Sequence, residues 1–321
     1  MDSRCKLACL IAAALIAPAA GAQAYPAKPI RLIVSVPAGG TPDLTARLIA
    51  PAVSGILGQP LVVDNRGGAG GLIGAELAAN AAPDGYTLLI SSPGALTILP
   101  HLRKVPFDTL RDFAPIGLIS SGPFLLLTHP SLPVRSVKDL LGLARSQPGK
   151  LNYSSAGNGA PNHLAMELFK SMTGVNIVHV PYRGAPQAVA DLVGGQVPIG
   201  FNSIAPMMPH LKAGRLRALG VASLKRSSQL PDVSTISEAG VQGFEAANWF
   251  GMLAPAKTQQ PIITRLSEAL VKSVRSSDVQ SQFIALGADP VGSSPAEFAA
   301  FIRRETERYA KVIRIAGVKL D

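Results

Sequence analysis

The chain has 321 residues, of which 47% are hydrophobic and 16% are charged, and its formal net charge is +10. Because disordered chains combine low hydrophobicity with high charge, this composition excludes a disordered protein, and two cysteines are too few for a disulfide scaffold. One Trp, five Tyr and scattered basic residues also argue against a nucleic-acid partner, and the length predicts about two domains.

Residues 1–24 are predicted to form a cleaved signal peptide. A basic start is followed by an apolar run over residues 7–17 and an A-x-A cleavage pattern at residues 22–24. We therefore expect an exported, soluble mature chain that begins at Tyr25, rather than an N-terminal anchor or a lipidated protein. Both cysteines lie before the cleavage site, so the mature chain has no thiol. It retains 28 basic and 19 acidic residues, a net charge of +9.

Short apolar runs alternate with stretches of helical periodicity along the rest of the chain. The predicted strands are residues 30–36, 61–63, 86–90, 124–128, 177–180, 199–201 and 218–222. The predicted helices include residues 44–57 and 72–81 and three C-terminal helices at 261–275, 279–286 and 295–315. This alternation predicts an α/β fold built on parallel sheets.

Two glycine-rich turns connect a strand to a helix. The first turn, residues 37–40 (PAGG), leads to Thr41 as the expected N-cap and to Asp43, which complements the positive helix end. The second turn, residues 154–159 (SSAGNG), leads to a helix that begins near Pro161. Backbone N–H groups at a helix N-terminus can bind an anion, although a tight connection explains either turn by itself. A third glycine run, residues 67–71, also precedes a helix.

Catalytic and nucleotide-binding signatures do not accompany these turns. The chain has no G-x-x-x-x-G-K-[ST], no H-E-x-x-H and no G-x-S-x-G sequence. Ser154 or Ser155 could pair with His163 as nucleophile and base, but a hydroxyl-lined pocket is the better interpretation. We therefore expect no enzyme activity, no cofactor and no metal.

Seven stretches after residue 24 together form a recognisable set: YPAKPIRLIVSVPAGGTPDLTARLIA, VVDNRGGAGGLIGAELAANAAPDGYTLL, LNYSSAGNGAPNHLAMELF, VHVPYRGAPQAVADLVGGQV, LKAGRLRALGVAS, SEAGVQGFEAANWFGMLAPA and SPAEFAAFIRRETERYAKVI. Through these stretches the chain resembles the Bug family of extracytoplasmic solute receptors, the substrate-binding components of tripartite tricarboxylate transporters. The resemblance covers essentially residues 25–321.

The family resemblance implies a type II periplasmic binding protein-like fold, in which two α/β domains enclose a ligand cleft and close by a hinge. Domain one would comprise residues 25–122 and 248–321, and domain two residues 123–247. The chain would cross between them near residues 121–124 and 246–250.

The resemblance also implies a ligand site that is built from both domains and the two turns. Its residues would be Val36, Pro37, Ala38, Gly39, Gly40, Thr41, Asp43, Ser92, Ser154, Ser155, Ala156, Gly157, Asn158, His163, Tyr182, Arg183, Phe201 and Asn202. Family members often have an aromatic residue at the position of Val36, and many have an acid at that of Asn202. The missing acid argues against a ligand with an amine. Arg183 is the most attractive partner for a carboxylate, with a surface or interdomain ion pair as the alternative.

The implied function is that of a monomeric periplasmic protein that captures a small carboxylate and delivers it to the membrane subunits of a tripartite tricarboxylate transporter. The carboxylate could be a mono-, di- or tricarboxylate or an aromatic acid. Two alternatives remain: an orphan sensor that presents its bound form to a signalling partner, and, less favoured, an exported hydrolase. Valine at Gly40 or Gly157 is expected to weaken binding while leaving the fold largely intact.

Overall fold

The structure is a computed structural model that describes residues 25–319. The predicted signal peptide and both cysteines lie outside the described residues. Within residues 25–319, no helix combines the length and the apolar character needed to cross a membrane.

Ten strands and ten helices alternate along the described chain, which confirms the predicted α/β class. The strands are β1 Ile30–Val34, β2 Leu61–Asn65, β3 Thr87–Ser91, β4 Phe113–Thr128, β5 Asn152–Ser155, β6 Val178–Pro181, β7 Ile199–Ser203, β8 Arg217–Val221, β9 Ala247–Pro255 and β10 Asp289–Pro290. The helices are α1 Thr41–Leu57, α2 Leu72–Ala79, α3 Leu99–Leu102, α4 Val137–Ser146, α5 Pro161–Thr173, α6 Ala185–Val193, α7 Ile204–Lys212, α8 Gln260–Val274, α9 Ser277–Ala285 and α10 Pro295–Ala316. A 3₁₀ turn at Ala69–Gly71 precedes α2, and a π-helical turn at Gly94–Ile98 precedes α3.

The strands join in the order β2-β1-β3-β9-β4-β7-β5-β6, and β8 and β10 both pair with β4. The outer strands are parallel as predicted, since β1 runs parallel to β2 and β3, and β5 parallel to β6 and β7. For the central strands the prediction of parallel sheets is wrong. Both β9 and β4 are antiparallel to the strands beside them, which turns the sheet into a mixed one.

Strand β4 is much longer than the five residues predicted for it, and β9 was not predicted at all. Pro115, Gly117, Gly122 and Pro123 interrupt the apolar pattern of β4, and proline cannot donate to a strand ladder. The pairing with β9 therefore shifts register between Pro115 and Gly117. The first part of β4 pairs with β9 and its last five residues pair with β7, so one strand belongs to both halves of the sheet.

Two large hydrophobic cores lie on the two parts of this sheet. The first core combines residues from 30–119 and 252–283. On the opposite face of the same strands, Ile33 belongs to a further cluster around Trp249 and Phe298. The other is drawn from residues 124–246. The cleft between these two parts of the sheet holds the candidate site.

The C-terminal helix α10 is tied to the start of β9 by a buried polar network. The Trp249 indole N–H donates to the Glu305 carboxylate at 3.0 Å, and Arg308 forms an ion pair with the same carboxylate at 3.2 Å. Arg308 also donates to the backbone carbonyl of Glu245 at 3.0 Å. Glu305 is only 8% exposed, and a buried carboxylate is costly unless it is paired. These partners therefore stabilise its negative charge inside the protein.

We expect Glu305→Ala to lower the free energy of unfolding by about 1.5–3 kcal/mol, because it leaves a buried indole N–H and a half-buried guanidinium without their acceptor. Urea unfolding monitored by tryptophan fluorescence measures this loss. Glu307→Ala, on the exposed side of the same helix, is the matched control and should change stability by less than about 0.5 kcal/mol. Equal losses in the two variants would contradict the role given to Glu305.

Candidate functional site

A cleft of about 470 Å³ lies between the two parts of the sheet. Its walls are the first turn with the 3₁₀ turn on one side and the second turn with the loop after β6 on the other. Of the predicted site residues, those that line the cleft are Val36, Pro37, Gly40, Thr41, Ser92, Ala156, Gly157, Asn158, Tyr182, Arg183 and Asn202. Those that the structure does not bring to its lining are Ala38, Gly39, Asp43, Ser154, Ser155, His163 and Phe201.

The first turn reaches helix α1 through Gly40, and the expectation that Thr41 caps the helix is wrong. Gly40 is the N-cap residue with extended backbone angles (φ −74°, ψ 159°), and its carbonyl accepts the N–H groups of Asp43 and Leu44. Thr41 is therefore already the first helical residue, at the cleft. Proline has no N–H, so Pro42 cannot act as a donor. The Thr41 N–H is therefore the backbone donor that the first turn of the helix has available.

Asp43 supports this turn from behind instead of facing the cleft. Its carboxylate is 2% exposed and accepts hydrogen bonds from the Gly39 N–H at 2.9 Å, from Arg47 at 2.9 Å and from the Asn65 amide at 3.0 Å. Burial by itself raises the pKa of Asp43, but these hydrogen bonds outweigh burial and hold the pKa below its ordinary value. The carboxylate is thus ionised and fully engaged in shaping the turn.

The second turn is held by side chains of its own and of helix α5, one of which, Ser155, was predicted to contact the ligand. The Ser155 hydroxyl accepts the Gly157 N–H at 3.1 Å. Asn162, which was not predicted, accepts the Ala156 N–H at 3.2 Å and donates to the Phe201 carbonyl at 3.2 Å. Helix α5 begins at Pro161 as predicted, after Ala160 as N-cap residue.

Gly157 must be glycine for the turn itself, which corrects the expectation that valine would leave the fold largely intact there. Its φ is +127°, and a Cβ atom at this position would lie 2.9 Å from the Tyr182 carbonyl oxygen. Valine would therefore strain the backbone and push the two loops of this wall apart. A binding defect in such a variant could not be separated from damage to the turn.

A stack of two histidines, the buried His163 and the half-buried His179, lies under the second turn. The rings of His163 and His179 are stacked with their centroids 4.1 Å apart, and His163 Nδ1 accepts the Gly159 N–H at 3.1 Å. His179 Nε2 lies 2.6 Å from the Ser155 hydroxyl. The structure therefore pairs Ser155 with His179 and not with His163, and both contacts shape the turn.

The Asn202 side chain forms part of the floor of the cleft. Asn202 lies on β7 opposite Leu125 of β4, is 6% exposed, and has an amide nitrogen without a hydrogen-bond partner among the described residues. Phe201 points to the other face of the strand and packs in the core against Phe124 and Phe169. The alternation of a strand thus separates the two neighbouring predicted residues.

Several lining residues were not predicted as part of the site. They are Ser35, Pro42, residues 68–71, Arg103, Phe124, Ala160, Pro161, Asn162, Gly184, Ala185, Pro186, Ser203 and Asn248. The third glycine run was a usable signal for residues 68–71, and proximity to the two turns could have added Ser35 and Ala160. Arg103 and Asn248 carry no local signal, because only the fold brings them to the cleft.

The cleft is electropositive. Arg103 and Arg183 line it, whereas the lining residues within the described range include no Asp or Glu. The backbone N–H groups of Thr41, Asn162 and His163, at the starts of two helices, lie where a helix offers donors without an intrahelical acceptor. This combination favours a bound anion.

We expect the unfolding free energy to fall as the pH drops from about 6.5 to about 4. Burial, reinforced by Lys170, lowers the pKa of His163 to about 4; burial and then His163 lower that of His179 to about 4. Histidines in the unfolded chain titrate near pH 6.5, so between pH 6.5 and pH 4 the unfolded state binds more protons than the folded state. The free energy of unfolding therefore falls by about 1.4 kcal/mol for each unit by which folding lowers a histidine pKa. Chemical unfolding at several pH values measures the slope.

In this pH series, His163→Gln should make the free energy of unfolding depend less steeply on pH. His101→Gln, at an exposed position, should leave the dependence as steep as in the wild type. A wild-type stability that is constant between pH 6.5 and 4 would contradict the neutral histidine stack.

The chain shows clear similarity to known receptors. The family model described as tripartite tricarboxylate transporter family receptor, TctC, matches residues 45–318. Protein BugT of Bordetella pertussis is 39% identical over 315 residues, which cover 97% of this chain and 96% of BugT.

Two solved structures share the fold. The structure of R. palustris Rpa4515 with adipate is 38% identical, with a TM-score of 0.89 over 92% of this chain and 99% of that one. MatC of Rhodopseudomonas palustris with bound malate is 32% identical, with a TM-score of 0.85 over 90% of this chain and 100% of that one. The fold is that of periplasmic solute-binding proteins, as predicted. These relatives are binding receptors, so this chain is a receptor and not an enzyme. The resemblance noted in the sequence is confirmed: the chain belongs to the receptor family of the tripartite tricarboxylate transporters.

Proposed function

We propose that this protein is a periplasmic receptor that captures a small carboxylate in its cleft and delivers it to the membrane subunits of a tripartite tricarboxylate transporter. The observation that carries the proposal is that Asn202 lines the cleft and that its buried amide nitrogen has no hydrogen-bond partner among the described residues. An unpaired buried donor is costly, and a carboxylate oxygen would satisfy it.

The charge of the cleft supports an anionic ligand over a neutral or cationic one. Two arginines and the N-terminal N–H groups of α1 and α5 supply positive potential. A ligand ammonium group needs an acidic partner, and the lining residues of the described chain provide none. The relatives whose structures contain adipate and malate hold dicarboxylates, which makes the same class the first candidate here.

We further propose that residues 25–122 with 248–321 and residues 123–247 are two domains that close on the ligand. The separate cores on the two parts of the sheet support this division, and so does β4, which continues from one part to the other. A ligand that contacts both walls would stabilise the closed arrangement by its differential affinity.

The proposal is tested by mass spectrometry of the protein as purified, followed by calorimetry with adipate, malate, a neutral sugar and an amino acid. We expect a carboxylate to bind with a dissociation constant at least about tenfold below that of the sugar or the amino acid. Small-angle scattering with the bound carboxylate should show a smaller radius of gyration. Tight binding of the sugar with no binding of any carboxylate would overturn the proposal.

Asn202→Asp should weaken carboxylate binding by about tenfold or more, because it replaces a donor by a like charge at nearly constant shape. Asn176→Asp, at an exposed position outside the cleft, makes the same change of net charge and should leave the affinity unchanged. Calorimetry measures both, and equal effects would show that net charge rather than the Asn202 amide governs binding.

Gly40→Val should weaken carboxylate binding several-fold, since the added methyl groups would occupy the entrance to the α1 N-terminus. Gly40 has a φ of −74°, and a Cβ atom there would lie 3.2 Å from Val36 Cγ2, so the substitution fits with small adjustments. The weaker N-cap costs about 1 kcal/mol of stability. Gly55→Val on the same helix, where a Cβ meets open space, should bind like the wild type. Unchanged binding by the Gly40 variant would place the ligand away from the first turn.

Delivery is distinguished from sensing in cells. Deletion of the receptor gene should abolish uptake of the bound carboxylate if the protein serves a transporter. Normal uptake, combined with loss of a transcriptional response to that carboxylate, would favour the sensor.

A further inference from the structure

Arg103 stands at the end of α3 and is held against the 3₁₀ turn. It is the C-cap residue of that helix, and its guanidinium donates to the Ala69 carbonyl at 3.3 Å. The remaining guanidinium N–H groups are available, because Arg103 is exposed and no carboxylate among the described residues forms an ion pair with it. Arg103 thus brings an unneutralised charge to the first wall of the cleft.

The segment that carries Arg103 is packed directly against the second turn. A Cβ atom on Gly159 would lie 3.4 Å from Leu102 Cδ1 and would also collide with Leu99, so the two walls touch beside Arg103. Ile98 of the same segment shares a hydrophobic cluster with Leu164 of α5. The position of Arg103 is therefore defined by contact between the walls.

Arg183 brings a second unneutralised charge, from the opposite wall. It lies in the loop between β6 and α6, is exposed, and likewise has no ion-pair partner among the described residues. Its neighbour Tyr182 is fixed by a hydrogen bond that its hydroxyl donates to the Asp191 carboxylate at 2.6 Å. Both arginines line the same cavity.

We propose that Arg103 and Arg183 select for ligands with two carboxylates: the turns and Asn202 hold one carboxylate, and the two arginines receive the other from opposite walls. This inference rests on the proposed function. A guanidinium forms strong, charge-assisted hydrogen bonds with a carboxylate. Its hydrogen bonds with a neutral amide are weaker, so it favours the acid over the amide. A cavity of about 470 Å³ leaves room for a second group beyond the first carboxylate.

The selection is tested with two ligand pairs, adipate with its monoamide and malate with its monoamide. Calorimetry measures the affinities of the wild type and of the variants Arg103→Gln, Arg183→Gln, Arg103→Lys and Lys104→Gln. Lys104 is the matched control, because it is the exposed neighbour of Arg103, does not line the cleft, and its replacement removes the same charge.

We expect the wild type to prefer at least one diacid over its monoamide by about tenfold or more, and each Arg→Gln variant to lose most of that preference with less than about threefold change for the monoamide. Arg103→Lys should retain part of the preference because it keeps the charge, and Lys104→Gln should retain all of it. Melting temperatures within a few degrees of the wild type verify that the variants fold.

An unchanged ratio of diacid to monoamide affinity in both Arg→Gln variants would overturn the selection while leaving the proposed function intact. The same holds if Lys104→Gln lowers the ratio equally, since a general positive field would then explain it. Absence of wild-type binding to every diacid and monoamide, together with binding of a sugar, would overturn the proposed function itself.

Discussion

Both walls of the cleft depend on one constraint: a turn that offers its backbone to a ligand must satisfy its other polar groups from within the protein. Asp43 does this for the first turn, and Ser155, Asn162 and His163 do it for the second. Each of these side chains accepts a backbone N–H of its own turn and thereby fixes the direction of the neighbouring N–H groups. In the proposed function, a ligand would then meet donors that are already oriented, which reduces the entropy lost on binding.

The mixed order of the sheet places these two turns face to face. In the units β1–α1 and β5–α5, the carboxyl end of a parallel strand leads into the N-terminus of the following helix. In parallel sheets the carboxyl ends of the strands form the ligand-binding edge. Strand β4 joins the two units and runs antiparallel to β9 and β7. Its register against β9 shifts beside Pro115, because proline has no N–H to donate to the ladder.

The sequence predicted the parallel units well, because short β-branched runs and helical periodicity are local signals. It predicted β4 and β9 poorly, since prolines, glycines and serines break the alternation in strands whose partners lie far away in the chain. The turns were found from their glycines, but the direction of each side chain was not. Asp43, Ser155 and His163 were assigned to the ligand, and they face away from the cleft, because a turn residue can point to either side of the backbone.

The cleft has two kinds of hydrogen-bond donor, backbone N–H groups and side chains, which would contribute differently to affinity and to selectivity. Backbone N–H groups at the α1 and α5 N-termini can bind any carboxylate, so they supply attraction that does not depend on the rest of the ligand. In the proposed function, discrimination would come from side chains on other elements, Arg103 after α3 and Arg183 after β6. These positions lie outside the two turns, so a receptor can change its ligand by substitution there while the buried hydrogen bonds that hold the turns stay the same.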